Sequence, residues 1–391
     1  MSAIPLAGLK VVEFTHMVMG PTVGHILASL GAEVVRVEPI GGDHTRRLLG
    51  SGAGYFPMYN RHKDSICLDL KSEDGLRIAL QLAERADILV ENFRPGALDR
   101  LGLGHDALKR ANPRLIYCSE KGFLPGPYEN RTALDEVAQM MGGLAYMTGP
   151  PGRPLRAGAS VIDVTGGMFG VIAILAAVEE RHRTGMGQKV QSSLFETTVY
   201  LVGQHMAQKA VTGRAADPMP ARISAWAIYD VFETADDSHV FIGVVTDALW
   251  QKFCEMFCLD ELWADLSLRK NNERVLARDR LMPQIRALVK GFTRDEIIAR
   301  LDGTGLPFAP IGRPEDMFDD LHLLASGGLE AVTLDDGRTT TLPGLPIEMD
   351  GARVGGDDTL PLPGADTRKI LSGLGYTISD VEVLLKTGVV A

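Results

Sequence analysis

The chain has 391 residues, of which 45% are hydrophobic and 23% are charged. This length allows two or three domains, and the balance of residues argues against a largely disordered protein. The 40 Lys and Arg against 50 Asp and Glu give a net charge of -10, which argues against nonspecific nucleic-acid binding and requires a local basic patch for any polyanionic ligand.

The cysteines and apolar stretches indicate the cellular compartment of the protein. No two of the four cysteines, at positions 67, 118, 254 and 258, form the C-x-x-C pair typical of a metal or redox site, and a reduced setting fits them best. The N-terminus lacks the basic start and long apolar core of a signal peptide. The longest apolar stretch, residues 168–178, contains glycines and is too short to span a bilayer. We expect a cytoplasmic protein with no metal site and no membrane or nucleic-acid partner.

Strand and helix patterns alternate in the first third of the chain. Strands are predicted at "LKVVEF", "EVVRVEP", "SICLDL", "DILVENF" and "RLIYCSE", and helices between them at "THMVMGPTVGHILASLG", "SEDGLRIALQLAERA" and "ALKRANP". Pro21 suits the first turn of its helix and Gly31 suits the end. The alternation predicts an α/β fold with a parallel sheet covered on both faces.

The pattern changes after Gly185. "QKVQSSLFETTVYLVGQHMAQKAVTG" predicts a strand entering a long amphipathic helix, and "RAADPMPARIS" an exposed connector. From Ala225 to about Arg313, "AIYDVFET" and "HVFIGVV" predict a hairpin followed by three helical segments, which indicates a second unit. The last part contains strand-like "LEAVTL" and "TTTLPGLPIEM" and a closing helix at "SDVEVLLKTG".

The opening β-α-β unit raises the possibility of a dinucleotide site. Glu38 ends the second strand 18 residues after Gly20, where a Rossmann site carries its ribose-binding acid. The turn holds only Gly20 and Gly24, however, so the G-x-G-x-x-G needed for close approach to a pyrophosphate is absent. This argues against NAD binding and favours a structural role for Glu38.

Three loops carry cations beside strand ends or helix starts: "GGDHTRR", "NRHKDSICLDLK" and "ENFRPGALDRLG". In the third, a strand ends at a Pro-Gly turn, so backbone N–H groups and a helix dipole are available to hold a phosphate beside Arg100. Arginines and lysines on loops are also commonly just solvated. Both interpretations stay open for each residue.

Asp163 stands near the start of the long helix predicted at "SVIDVTGGMFGVIAILAAVEERHRTG". An N-cap accounts for an acid at this position. Its apolar, glycine-bearing surroundings also suit a desolvated carboxylate that acts as covalent nucleophile or proton acceptor. The histidines are scattered and there is no G-x-S-x-G, so no triad competes with it. The residues alone leave cap and reactive carboxylate equally open.

Six stretches together resemble the class III CoA-transferase family, also called CaiB/BaiF: "GLKVVEFTHMVMGPTVGHILASLGAEVVRVEP", "NRHKDSICLDLK", "VENFRPGALDRLGLG", "NPRLIYCSEKGF", "ASVIDVTGG" and "RTGMGQKVQSSLFET". The resemblance implies a flat subunit in an interlocked homodimer. It implies a Rossmann-like, CoA-binding large domain from residues 1–205 and 326–391, and a smaller α+β domain from residues 222–313.

The resemblance also implies a reaction. The aspartate matching Asp163 attacks an acyl-CoA thioester to give an aspartyl-acyl anhydride, then carries CoA as an aspartyl thioester and passes it to a carboxylic acid. Coenzyme A is here a substrate, and no prosthetic group is implied. A helix start is expected to keep the carboxylate ionised at neutral pH. The implied CoA contacts are Val18, Met19, Leu68, Lys71, Asn92, Phe93, Arg94, Arg100 and Arg131, although a lysine that some members carry near Arg131 is absent. Candidate substrate contacts are His16, Arg46 and Arg47.

Two alternatives within this resemblance stay open. The α-methylacyl-CoA racemases take a catalytic histidine from a "GHDxNY" stretch, whereas this chain reads "ENRTALDEVAQ" and has no histidine between His105 and His182. A noncatalytic CoA-binding subunit would not need Asp163. The tetraglycine loop of some members is absent, which argues against formyl-CoA:oxalate transfer. Exchange of CoA between succinyl-CoA or a similar donor and a dicarboxylate is the favoured reaction.

Overall fold

The computed structural model describes residues 4–222, 224–356 and 360–391. The chain forms two compact units, one from Met1–Pro220 with Phe318–Ala391 and one from Ala221–Met317.

The first unit is built on a six-stranded parallel sheet, as the alternating pattern predicts. Its strand order is β3-β2-β1-β4-β5-β6. The strands are β1 (Lys10–Phe14), β2 (Glu33–Glu38), β3 (Asp64–Cys67), β4 (Ile88–Glu91), β5 (Ile116–Lys121) and β6 (Lys189–Ser193). The order reverses between β1 and β4, and ligands of open α/β sheets bind at such a point, outside the carboxyl ends of the strands.

Helices connect these strands and cover both faces of the sheet. They are α1 (Met19–Ser29), α2 (Tyr55–Tyr59), α3 (Glu73–Arg85), α4 (His105–Ala111), α5 (Asp135–Met141), α6 (Leu144–Thr148), α7 (Val161–Thr184), α8 (Leu194–Leu201) and α9 (Gly203–Thr212). The single helix predicted after β6 is interrupted at Val202, next to Gly203, because glycine is a poor helix former.

Close packing of α7 on α1 brings the two helix starts together. A Cβ on Gly166 would lie 2.6 Å from Cε of Met19, and one on Gly167 would lie 2.8 Å from the Met19 carbonyl oxygen. Only glycine therefore allows this approach. Further along, Val23 and Leu27 of α1 and Ile174 of α7 share one apolar core with the sheet.

By length and composition alone, α7 is long and apolar enough to cross a membrane, and 44% of its most apolar window is buried within the described residues. The helix of 24 residues is thus longer than the apolar stretch 168–178 recognised in the sequence. Near its end, buried Arg181 pairs with Asp87 (3.1 Å) and donates to the carbonyl of Arg114 (3.2 Å). One side of α7 is therefore bound to the sheet.

The second unit contains the predicted hairpin, extended by a third antiparallel strand that the sequence did not indicate. Its sheet has the order β7-β8-β9, with β7 (Ile228–Glu233), β8 (His239–Val244) and β9 (Phe308–Pro310). Five helices accompany it instead of three: α10 (Asp247–Met256), α11 (Asp260–Ala264), α12 (Asn271–Leu276), α13 (Arg278–Lys290) and α14 (Arg294–Leu301).

The C-terminal segment packs on the six-stranded sheet. Its elements are α15 (Leu321–Ala325), β10 (Leu329–Thr333), β11 (Thr339–Pro343), β12 (Glu348–Met349), β13 (Ala352–Arg353), α16 (Thr367–Leu374) and α17 (Ile378–Lys386). Leu371 and Val381 join the core on the α3 face of the sheet. The N–H of Ser65 donates to the Asp366 carboxylate (2.9 Å), which fixes the segment beside β3.

Candidate active site

A cavity of about 210 Å³ opens where the strand order reverses. The loops after β1 and β4 meet there through Asn92, whose amide accepts from the N–H of His16 (2.9 Å) and donates to its carbonyl (2.8 Å). The next residue, Met17, has φ 63°, a left-handed conformation that is uncommon outside glycine and costs free energy. The two loops are therefore held in one defined arrangement at the carboxyl edge of the sheet.

The cavity collects several of the residues predicted from the sequence. Val18 and Met19 come from the start of α1, Asn92 from the loop after β4, and Asp163 from the first turn of α7. The complete lining is His16, Met17, Val18, Met19, Tyr55, Asn92, Glu120, Lys121, Gly122, Ala133, Leu134, Asp135, Glu136, Ser160, Asp163 and Leu194. Both helices begin at this cavity, and a helix start presents N–H groups without partners inside the helix.

Asp163 does not cap α7. That part is taken by Asp135, whose Oδ2 accepts from the N–H groups of Ile162 (2.9 Å) and Asp163 (3.3 Å). The N-cap interpretation of Asp163 is therefore wrong for its side chain. With the helix start satisfied by another carboxylate, the half-buried side chain of Asp163 remains at the wall of the cavity.

The charges around Asp163 oppose its ionisation. Burial first, and then the carboxylates of Asp135 and Glu136, raise its pKa to about 7, while Arg156 acts to lower it. The expectation that the helix start keeps this group ionised at neutral pH is wrong, because burial opposes the charge and the capping carboxylate of Asp135 brings a further negative charge to the same helix end. Asp163 is close to half protonated at pH 7.

Two tyrosines of α2 lie beside this group. Tyr55 lines the cavity, and the pKa of the Tyr59 phenol is raised by burial first and then by the negative charge of Asp163. The Tyr59 phenol therefore stays neutral at physiological pH and is able to donate a hydrogen bond.

Glu120, at the end of β5, is a second carboxyl group of the cavity with a raised pKa. Burial and the nearby Glu91 raise its pKa to about 8, against the hydrogen bond that the Cys118 thiol donates to it (3.2 Å). Its Oε2 is buried without a hydrogen-bond partner among the described residues. The next residue, Lys121, donates instead to Glu91 (2.6 Å) and to the Phe93 carbonyl (2.7 Å).

The predicted CoA contacts of the "NFR" turn adjoin this cavity. Phe93 stacks on the His16 ring at 5.2 Å, and exposed Arg94 lines a neighbouring cavity of about 300 Å³ that shares Lys121 with the first. Exposed Arg100 follows in the same segment, with its Nη1 beside Gly96. The segment after β4 therefore provides two solvent-exposed guanidinium groups, those of Arg94 and Arg100, near the cavity.

The remaining predicted CoA contacts lie outside the lining of both cavities. Leu68 is buried after β3, whereas Lys71 is exposed and its N–H donates to the Asp69 carboxylate (3.0 Å). Exposed Arg131 stacks on the Tyr128 ring at 5.0 Å.

Arg46 and Arg47, predicted as substrate contacts, are placed elsewhere. The buried Arg46 side chain donates twice to Glu38 (2.9 and 2.7 Å) and once to the Pro361 carbonyl (2.8 Å), and it stacks on Phe56. Arg47 is exposed and donates to the Gly41 carbonyl (3.0 Å). Neither lines the cavity of Asp163, and a contact of either one with the substrate stays a prediction. The sequence showed adjacent arginines on a loop, but not that an acid at the end of β2 holds one of them.

The sequence interpretation missed the charged residues that shift the pKa of Asp163, which are Asp135, Glu136 and Arg156. Asp135 and Glu136 precede an ordinary apolar helix pattern, and Arg156 lies in a Gly/Pro-rich loop, so neither context marks a site. Glu120 lies between Ser119 and Lys121 at the polar end of β5, so its local sequence did not mark it either.

Fold and site together define a class: an α/β protein with a desolvated carboxylate where two helix starts meet at the switch point of a parallel sheet. The CoA-transferase family III profile matches residues 6–367. The chain is 31% identical to the succinyl-CoA:glutarate CoA-transferase of Mus musculus, covering 99% of this chain and 90% of that protein. It is 34% identical to the acetyl-CoA:oxalate CoA-transferase of Acetobacter aceti, covering 92% of each.

A solved structure shows the same architecture over nearly all of this chain. The crystal structure of a CaiB/BaiF family protein from Brucella suis superposes with a TM-score of 0.84 at 32% identity, covering 95% of this chain and 99% of that one. This chain belongs to CoA-transferase family III, also called CaiB/BaiF, and is a CoA-transferase that acts on CoA thioesters.

Proposed function

We propose that this enzyme transfers CoA from succinyl-CoA or a similar donor to a dicarboxylate in the cytoplasm, with Asp163 as covalent nucleophile. The observation that carries the proposal is the position of the Asp163 carboxyl, half-buried in the cavity where α1 and α7 begin. The cavity is far smaller than CoA, so it accommodates only the acyl end of a thioester.

The proposed steps conserve charge. An Asp163 oxygen attacks the thioester carbonyl, the C–S bond breaks, and CoA thiolate leaves an aspartyl-acyl anhydride. The thiolate attacks the Asp163 carbonyl carbon, which releases the donor acid and forms an aspartyl-CoA thioester. The acceptor carboxylate attacks that carbon and displaces the thiolate, which then takes the new acyl group and restores Asp163. Because the carboxylate must be ionised to begin, a pKa near 7 makes the first step pH-dependent.

The surroundings of Asp163 support these intermediates. The buried side chains of Val18, Met19 and Leu194 reduce access of water, which would hydrolyse an anhydride. N–H groups at the start of α1, unlike those of Ile162 and Asp163 in α7, are not taken by Asp135 and are suited to stabilise an oxygen that gains negative charge during attack. Each acylation of Asp163 also removes a negative charge next to Asp135 and Glu136, which favours the neutral covalent states.

The substrate classes are inferred from the relatives. Those compared above act on glutarate with succinyl-CoA and on oxalate with acetyl-CoA, so both acceptors are dicarboxylates. The relatives name both succinyl-CoA and acetyl-CoA as donors, and the succinyl-type donor is our proposal for this chain.

The test is to supply succinyl-, acetyl- and formyl-CoA with a panel of mono- and dicarboxylates and identify the products by mass spectrometry. Hydroxylamine or borohydride quenching should leave a modification on the peptide containing Asp163, and the Asp163→Asn variant should show none. Turnover without any trapped species, together with an active variant, contradicts the covalent mechanism. Deuterium entering the α-carbon of a 2-methylacyl-CoA from D₂O, without transfer, identifies a racemase instead.

We also propose that two copies associate through the exposed side of α7. Met168, Ile172 and Leu175 are exposed on this helix, and a groove of about 370 Å³ beside Ile172 is walled by Phe169 and Tyr200. An apolar face of this kind on a soluble enzyme indicates an interface. Analytical ultracentrifugation should give twice the mass of one chain, and Ile172→Glu should give the single-chain mass. A wild-type enzyme that sediments as one chain, or only with lipid vesicles, contradicts this proposal.

A further inference from the structure

Asp135 lies at the centre of a small polar assembly that holds the start of α7. Its Oδ2 accepts the two N–H groups of that helix, while Oδ1 accepts from the Gln139 amide (2.5 Å) and lies 3.2 Å from Nη2 of Arg156. Asp135 and Gln139 are buried. Movement of this carboxylate would therefore also move the backbone of Asp163.

Arg156 ties the loop before α7 to α5. Its Nη1 donates to Glu136 (2.5 Å), and Nη2 donates to the Ala159 carbonyl (3.0 Å) while also facing Asp135. A second bond runs parallel, from the Ala157 N–H to the Gln139 side-chain oxygen (2.8 Å). One guanidinium group thus pairs with both carboxylates that face Asp163.

We propose that Arg156, Asp135 and Glu136 form a positioning unit that fixes the start of α7 and controls how readily Asp163 carries its negative charge. The inference rests on the proposed role of Asp163 as the nucleophile. Within the unit, the two carboxylates oppose a charge on Asp163, and the guanidinium group limits that opposition.

The balance within this unit has a chemical purpose. A carboxylate of higher basicity is a stronger nucleophile, but a smaller fraction of it is ionised at a given pH. Asp135 and Glu136 make Asp163 more basic and favour its acylated, neutral form. Arg156 keeps enough of it ionised near pH 7 to react. Removing the positive charge of Arg156 should therefore shift the pH dependence of activity to higher pH, and removing a negative charge of Asp135 or Glu136 should shift it to lower pH.

The other polar groups around Asp163 do not provide the same control. Burial and the charge of Asp163 raise the pKa of Tyr59 of α2, which is therefore neutral at pH 7. Glu120 of β5 is protonated there, and Lys121 is bound to Glu91. The loop after β1 contributes His16, whose pKa is lowered by burial and which is therefore neutral. The charged groups that face Asp163 are those of the positioning unit.

The experiment measures kcat/KM against pH for charge-changing variants of this unit. Arg156→Met should move the acidic limb to higher pH by about half to one pH unit, and Glu136→Gln should move it to lower pH by a similar amount. Arg156→Lys keeps the charge and should restore most of the wild-type profile. Arg153→Met removes an exposed arginine three residues away in the same loop and should leave the profile unchanged.

A direct titration removes the dependence on turnover. In protein labelled with ¹³C at the aspartate carboxyl carbons, the resonance lost in Asp163→Asn identifies Asp163, and its titration should shift in the same opposite directions. The proposal of a positioning unit is wrong if the pH profile of kcat/KM and the titration of Asp163 are unchanged in Arg156→Met and Glu136→Gln. It is also wrong if both variants shift them in the same direction. If the titrations shift as expected but no Asp163 adduct is trapped, the unit stands and the proposed nucleophile fails.

Discussion

Two groups of charged residues in the same sheet domain differ in how their charges are balanced. Around Arg36 the charges are matched: its guanidinium binds Glu13 (2.9 Å) and Asp43 (2.5 Å), and Lys63 also binds Glu13 (2.8 Å). Around Asp163 two carboxylates share one arginine, and the third carboxyl has its pKa raised to about 7.

The difference separates charges that hold the fold from charges poised to react. The pKa of Glu38, beside the first group, is lowered to about 2, since the hydrogen bond from Arg46 and the charge of Arg36 outweigh the effect of burial. The pKa of Asp163 is raised, first by burial and then by the negative charges of Asp135 and Glu136. A buried acid without a matched partner is therefore the better indicator of a reactive site in this protein.

The largest effect is expected on turnover when the unmatched acid is changed. Asp163→Asn should lower kcat by about 10⁴-fold or more, because an amide cannot form the anhydride. Steady-state assays with a succinyl-CoA donor measure it, and circular dichroism should show an unchanged fold. If turnover of Asp163→Asn stays within tenfold of the wild type, Asp163 is not the nucleophile, and the charges around it are not distinguished by reactivity from those around Arg36.

The next largest effect is expected on stability, in the matched group. Arg36→Met leaves Glu13 and Asp43 buried without their partner and should lower the free energy of unfolding by about 3–5 kcal/mol. Urea denaturation followed by fluorescence measures it. Arg338→Met, which removes an exposed partner of Asp336, is the matched control and should cost less than about 1 kcal/mol. Equal losses in both variants would show that the buried group does not hold the fold.

A third effect follows from the raised pKa of Asp163. The folded state binds this proton more tightly than the unfolded chain does, so the stability it contributes is full below about pH 4 and is lost as pH rises towards 7. Asp163→Asn does not titrate and should exceed the wild type in unfolding free energy at pH 8 by about 2–3 kcal/mol, with the difference shrinking towards pH 4. Exposed Asp295→Asn should show no such trend. A difference that does not change with pH contradicts the raised pKa.

Regular periodicity explains how much of the fold was predictable from the sequence. The strands from β1 to β5 and the helices between them repeat a local pattern, and the structure confirms the parallel sheet. The three-residue strand β9 carries too little pattern to be recognised, and it pairs with β8 across more than 60 residues of chain.

The site was predictable only in part, for the same physical reason. Asp163 was found through the motif that surrounds it, with no knowledge of its environment. Asp135 reaches the start of α7 across 27 residues, and Arg156 meets Glu136 across 20, so no local pattern reveals either contact. The pKa of Asp163 depends on these contacts, and so the expectation of a fully ionised carboxylate failed.

The smallest effect is expected for the arginines first assigned to substrate. Arg47→Ala should leave kcat and KM within about twofold of the wild type, because this exposed side chain is bound to the Gly41 carbonyl and lies outside the cavity lining. Arg46→Met should instead lower stability, since it leaves Glu38 buried without its bidentate partner. Acceptor KM values and urea midpoints for the two variants distinguish these outcomes. If Arg47→Ala raises KM tenfold for dicarboxylates alone, Arg47 binds the substrate. Residues that contribute to the reaction would then also lie outside the group around Asp163.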